Sequence, residues 1–442
     1  MFKTLRRYYW VTDMFIRRHG GIIVRTTLVV LAAVGALYFF NRYVPAPLQT
    51  IRIGRVGKYS LETLPPDIES KISVGLVKDN IDGSVTPGLA KSWTVSPDGK
   101  TYTFTLNHDL TWSDGSQVIP QDITYNFQDV QTTRGNGTVT FQLSEPFSPF
   151  YSAVSEPLLK NGRWGVGTYR VEGQQSYNGI LQSVTLVGPD KLIYKFYPTE
   201  SSALTAYQLG EVDKVEALSF VPSDLTKDSA SHVATDSGDR KITVLFFNNN
   251  DSLLSAKSTR QALAYAIRDK TFGAERAISP IDSRSWAYNP LVKTYDYDAA
   301  HAKTLLAENI KDPSTVSLEL KTTLPYLDEA ESIASDWQTA LGIQVNVKVV
   351  TTVSSDYQTL LADFTPPTDP DQYTMLHSTQ PTNFTHVTDL KVDKLLEDGR
   401  RTLDPKLRKD IYLDFQRFLL EDCPAVFLFN SSSYTISRKP LF

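Results

Sequence analysis

Residues 22–40 read IIVRTTLVVLAAVGALYFF, and they alone in the chain are long and apolar enough to cross a bilayer. At about 1.5 Å per residue, helical, they match a hydrocarbon layer of roughly 30 Å. Arg25 stands near one end, where a long side chain reaches the headgroups, and Tyr38, Phe39, Phe40 and Tyr43 gather at the other as an aromatic belt. The basic residues all precede the run, which keeps the N-terminus inside and sends the rest of the chain out. The expected layout is a cytoplasmic basic segment at 1–21, a transmembrane signal anchor at 22–40 and a linker at 41–49. Cleavage after Val34-Gly35-Ala36 or Val44-Pro45-Ala46 is the alternative; the first leaves a very short apolar stretch, and Pro47 follows the second. No cysteine follows the run to carry a lipid.

Charge divides along the same line. Residues 1–25 hold six Lys or Arg against Asp13, so the net charge of −4 splits into +5 there and −9 over the remainder. An acidic body excludes nucleic acid as a partner, since phosphate binding needs a basic face. The 442 residues, 41% apolar and rich in Tyr and Phe, suit two or three folded domains and rule out a disordered chain. Cys423 is the only cysteine, which excludes an internal disulfide framework and any multi-cysteine metal site.

Past the Pro45-Ala-Pro47 spacer the pattern is mixed α/β. Alternation predicts strands at 51–56, 101–106, 138–143, 168–171, 192–197, 241–247, 343–350 and 425–429. Helical spacing predicts helices at 203–209, 259–272, 299–308, 328–341 and 405–421, with a further helix opening at Pro120 and carrying Ile123, Tyr125 and Phe127. The middle differs in grammar from the two ends, which suits two lobes: lobe I at 50–250 with a return strand at 424–442, and lobe II at 251–423. The crossings fall near 248–252 and 422–425, and an inter-lobe cleft is where a ligand binds.

The most specific run is Leu89-Ala-Lys-Ser-Trp93, Ser96-Pro-Asp-Gly-Lys-Thr-Tyr-Thr-Phe104, Trp112-Ser-Asp-Gly115 and Gln121-Asp-Ile-Thr-Tyr125. It resembles the signature of family 5 extracellular solute-binding proteins, the oligopeptide-, dipeptide- and nickel-binding subunits of ABC importers. Gly165–Tyr169, Leu209–Asp213, Phe247-Asn248 with 259–268, and the C-terminal set Val392–Leu396, Asp404-Pro405, Arg408, Tyr412, Gln416 and Glu421–Pro424 are similar to further family segments. The resemblance covers roughly 50–430. It implies a two-lobed periplasmic-binding-protein-like fold (type II, cluster C-like) that hands a peptide or similar solute to an ABC permease, and it implies no cofactor. The exposed part is short for the family, a departure that puts a subdomain or the usual C-terminal return in question. Peptide binders of the family hold the ligand's ammonium with an Asp in a "DY-x-DP" segment. Aligning Asp369-Pro370 with that Asp-Pro puts Pro366 at the ammonium position, with Asp369 or Asp371 as substitutes.

Candidate ligand contacts follow from both arguments. Asp369, Asp371, Tyr373 and His377 crowd one polar stretch between predicted elements, Trp286 and Tyr288 form a second cluster, and Asn248 and Asn249 stand at the expected crossing. Each has a plain structural reading beside it: a solvated loop, core packing, hinge hydrogen bonds. Trp93 and Trp112 read as framework. Gly99-Lys-Thr101 lacks the earlier glycine of a phosphate loop, its place being taken by Thr94. The six histidines are scattered without metal-ligand spacing, and no GxSxG or HExxH occurs, so neither a metal centre nor an enzyme is expected. A tethered sensor or chaperone-like binder working without a permease is the rival function, and a surface hydrolase the third.

Overall fold

The computed structural model describes residues 2–43, 48–61, 63–236 and 241–439; the expected spacer at 45–47 lies outside them. The chain forms two compact units, residues 1–50 and 51–442. The first is one α-helix, Phe2–Tyr43, whose 42 residues extend well beyond the apolar run at 22–40. Its stretch Arg6–Ala36 meets the length and hydropathy of a membrane span, as a signal sequence also would.

The second unit is built on four sheets. A seven-stranded sheet orders its strands Ser231–Asp236, Ser433–Arg438, Lys214–Leu218, Thr50–Val56, Lys191–Tyr197, Ile180–Val187 and Arg170–Tyr177. A five-stranded sheet runs Gln344–Val349, Ser317–Thr322, Thr359–Phe364, Ile242–Phe247 and Ala425–Asn430. Its first three strands are parallel and the last two pairings antiparallel. An antiparallel layer of Ala90–Val95, Thr101–Leu106, Thr138–Gln142 and Gln131–Arg134 stands apart, as does the small ribbon Val77–Asp79 with Val85–Pro87.

Residue pattern explains each layer. In Thr101–Leu106 the apolar Tyr102, Phe104 and Leu106 are buried and the threonines between them are not, the period-2 signature of a sheet with one covered face. Phe104 meets Phe141 edge-on at 6.0 Å, and the same core holds Trp112, whose indole N–H donates to Asp122 at 2.8 Å. Every residue of Ile242–Phe247 is buried, because both faces are covered. Leu245 and Phe247 face Leu263, Ile333 and Trp337 of the helices Lys257–Tyr265 and Leu327–Leu341. Ile242, Val244 and Phe246 face a second cluster that includes Leu360 and Phe427.

Three expectations change. The strands at 242–247 and 425–430, read as part of lobe I, pair with each other inside the five-stranded sheet of the second lobe. Only Ser433–Arg438 returns to the first. Ser231–Asp236 thus belongs to the first sheet and Ile242–Phe247 to the second, and after Asn430 the chain returns to the first at Ser433, so the crossings expected near 248–252 and 422–425 fall between elements of the second lobe. The helix expected from Pro120 stops as the single turn Pro120–Asp122. β-branched and aromatic residues follow it, poor helix formers, and their side chains bind elsewhere: the Tyr125 hydroxyl donates to Val154 O at 2.7 Å, and its ring stacks on Phe127 at 5.2 Å. Finally, the C-terminal return, which the short chain put in question, is present as Ser433–Arg438.

Candidate functional site

The loop after Thr359–Phe364 and the helices Leu390–Arg401 and Pro405–Asp422 bring most of the expected residues to one seam, where the second lobe meets the antiparallel layer. Ser148 closes that seam: its N–H donates to Arg400 O and its hydroxyl to Thr402 O, each at 2.7 Å. Trp286 N–H donates to Asp82 O at 3.0 Å. A cavity of about 530 Å³ opens beside the bridge, walled by Phe127, Phe147 and Phe150 from one lobe and Tyr373, Arg400 and Arg401 from the other. A second, of about 450 Å³, is lined by Tyr151, Trp286, Asp369, Leu403 and Arg408.

The two candidate carboxylates are already engaged here. Asp369 takes a two-pronged hydrogen bond from Arg408 at 2.6 and 2.9 Å, and both side chains are largely buried. Burial works against the Arg408 cation, but the Asp369 charge and hydrogen bonds outweigh it and hold the guanidinium above its ordinary value. Asp371 accepts from Arg400 at 2.8 Å. Burial pushes its carboxyl above the usual range even against that cation. Arg400 also lies over the Tyr373 ring at 4.1 Å, and Tyr373 packs on His377 at 4.1 Å. His377 is buried, with Nδ1 at the Thr379 hydroxyl and Nε2 3.4 Å from Glu397. Trp286 packs edge-on against Tyr412, and Tyr288 is a partly buried neighbour in the same cluster.

Asn248 and Asn249 stand elsewhere. Ile242 pairs with Phe364 and Asn430, so the crossings adjoin the start of Ile242–Phe247 and the two asparagines follow its far end. Their amides donate to Tyr357 O and Thr385 O, each at 2.8 Å, tying loops together rather than hinging the lobes.

The crossing end of the five-stranded sheet carries a carboxylate outside the expected set. Asp363, exposed near the end of Thr359–Phe364, accepts hydrogen bonds from the Tyr326 hydroxyl and, at 3.1 Å, from the Ser431 hydroxyl. Both donors are neutral, and among the described residues no Lys or Arg forms an ion pair with Asp363. Burial and then this carboxylate push the Tyr326 phenol up, so it stays a donor. Asp363 also lines a cavity of about 250 Å³ with Phe246, Phe364 and Phe384. Two further polar cavities flank the second crossing, one of about 320 Å³ beside Glu275, Arg284 and Ser431, the other of about 230 Å³ beside Arg55, Lys71 and Ser433. In the sequence Asp363-Phe364 is an acidic-aromatic pair at the end of an apolar strand, upstream of the Asp369-Pro370 step. Among the described residues no three His, Cys, Asp or Glu side chains group as a metal set.

Comparison with known proteins fits this arrangement. A profile described as "Bacterial extracellular solute-binding proteins, family 5 Middle" matches residues 84–162 and 177–385, well over half the chain. The chain belongs to that family. The family 5 protein is thus a substrate-binding protein of the ABC-importer kind. It is 23% identical to the dipeptide-binding protein of Escherichia coli K12, over 80% of this chain and 82% of that one. It is 27% identical to protein XP55 of Streptomyces lividans, over 82% and 79%. NikZ of Campylobacter jejuni, solved with Ni(L-His), superposes with a TM-score of 0.74 at 22% identity, covering 89% of this chain and 95% of that one. AppA of Bacillus subtilis, solved with a nonapeptide, gives 0.68 at 19%, with the same coverage. These likenesses show the two-lobed type II binding-protein fold.

Proposed function

We propose that the family 5 protein is held at the outer face of the cytoplasmic membrane by residues 22–40, binds a peptide between its lobes, and delivers it to an ABC permease. The observation that supports a peptide most directly is Asp363. It is an exposed carboxylate near the lobe crossing, held by two neutral hydroxyls and, among the described residues, in no ion pair with a Lys or Arg. Such a group suits an incoming ammonium, because a charge-assisted hydrogen bond forms there without first breaking an ion pair. Asp369 and Asp371 would each have to leave an arginine. The cavity beside Phe246, Phe364 and Phe384 offers apolar burial next to that carboxylate, the combination a peptide's first side chain and amine require. The bound solute favours closed lobes by its higher affinity for them, and the permease reads that state. The relatives named for dipeptides and oligopeptides agree with this reading.

The test is isothermal titration of wild type and Asp363→Asn with a free-amine tripeptide and, separately, with Ni(L-His). Loss of one charged hydrogen bond of about 2 kcal/mol predicts roughly 30-fold weaker tripeptide binding in the variant. Unchanged tripeptide affinity removes Asp363 from the site. Binding of Ni(L-His) alone removes the peptide.

A further inference from the structure

The helix Phe2–Tyr43 is about 63 Å long at 1.5 Å per residue, twice a hydrocarbon layer of roughly 30 Å. With 22–40 in the bilayer, the half before Gly20-Gly21 lies on the cytoplasmic side, and its composition does not suit free solution. Tyr8 is 72% exposed and Met14 74%, and Tyr9, Trp10, Val11, Phe15 and Ile16 are exposed as well. At about 100° per residue, Arg6, Arg7, Asp13, Arg17 and Arg18 fall within one arc of roughly 140°. Tyr8, Tyr9, Phe15 and Ile16 fall within the opposite arc, of roughly 120°. Thr12 and His19 share that arc: the Thr12 hydroxyl donates to Tyr8 O at 2.6 Å, and the His19 ring packs on Phe15 at 4.9 Å. Trp10 and Met14 sit among the arginines, at the depth where indoles and guanidinium stems share the headgroup layer.

We infer that residues 6–19 form a second membrane contact: an interfacial helix lying in the cytoplasmic leaflet, its aromatic arc in the acyl boundary and its arginines on anionic phospholipid headgroups. Charge complementarity selects that occupant, since this segment carries four arginines against one carboxylate and the cytoplasmic leaflet is negative. The Asp13 carboxylate pairs with Arg17 at 3.0 Å, leaving the other arginines for phosphate. Gly20-Gly21 is where the helix turns from the membrane plane into the span, glycine pairs being the weakest points of a helix. The inference rests on the reading of 22–40 as a bilayer span.

Full-length protein, reconstituted without permease in phosphatidylcholine vesicles with or without phosphatidylglycerol, carries a nitroxide at Ile16→Cys, Arg7→Cys or Val30→Cys. Cys423 is wholly buried, and the parent protein controls for its labelling. With phosphatidylglycerol present, the ratio of oxygen to water-soluble nickel-chelate collisions is expected to be severalfold higher at 16 than at 7. The contrast is expected to collapse without phosphatidylglycerol, at high salt, or with Arg6→Gln, Arg17→Gln and Arg18→Gln together. Equal water access at 16 and 7 overturns the interfacial helix. A buried signal at 16 that ignores lipid charge, or that arises only when permease is added, overturns the headgroup pairing. Water access at 30 shows instead that the span reading has failed, and the inference with it.

Discussion

The antiparallel layer at 90–142 and the segment 363–377 are comparable in what their sequences display and opposite in what the fold does with it. Both carry dense, distinctive motifs. In the layer, each side chain's partner lies across one strand pairing: Phe104 opposite Val139, Tyr102 opposite Phe141. In 363–377 the partners come from elements that no strand pairing links to it in register: Arg400 for Asp371, Arg408 for Asp369, Tyr326 and Ser431 for Asp363. A motif whose side chains alternate toward one covered face can be read from spacing. A carboxylate whose partner is an arginine on a separate helix looks, in sequence, the same as one waiting for a ligand.

Three measurements sharpen or break that contrast. The largest effect belongs to the layer: Phe104→Ala empties a fully buried aromatic position and is expected to cost about 4 kcal/mol in chemical denaturation. A loss below about 1 kcal/mol would mean the layer is not packed as described. Next comes the carboxylate–arginine pair. Arg408→Met leaves Asp369 without its cation in a largely buried site and is expected to cost about 3 kcal/mol, much of it recovered by adding Asp369→Asn. Simple additivity of the two changes would deny the pair its coupling.

The smallest effect concerns a partly buried carboxylate that is not paired with an arginine. Burial, and then the charge of Glu156, push the Glu69 carboxyl up to about 7 from an ordinary 4.5. Because the folded value is the higher one, its contribution to stability is full below about 4.5 and is lost as pH rises through about 7. Half the group faces solvent, so screening limits the effect to about 1 kcal/mol. Glu69→Gln is therefore expected to stabilise by that amount at pH 8 and by almost nothing at pH 4. An equal gain at both pH values would place its origin outside the charge.

Much of the fold was legible in the residues. Alternation located Thr101–Leu106 and Thr138–Gln142 of the layer, though not its outer strands, and helical spacing gave Ala299–Ala307, Leu327–Leu341 and Pro405–Asp422 within a residue or two. The lobe crossings were not, because Ile242–Phe247 and Ala425–Asn430 are apolar but for Thr243 and Asn430, and such strands suit the buried middle of either sheet. Pairing decides between sheets, and pairing is nonlocal. The candidate site divides the same way. Its neighbourhood was visible from the polar run at 369–377, but the choice among three acidic residues depended on which of them an arginine had taken.

That choice is open to one direct measurement, made on the full-length protein in lipid nanodiscs by isothermal titration. A free-amine tripeptide is compared with its N-acetylated counterpart, which keeps the backbone and side chains but removes the ammonium. An amine held by Asp363 predicts binding of the free peptide at least tenfold tighter than the acetylated one, a difference of about 1.4 kcal/mol or more. Equal affinity for the two would contradict a carboxylate-centred cleft.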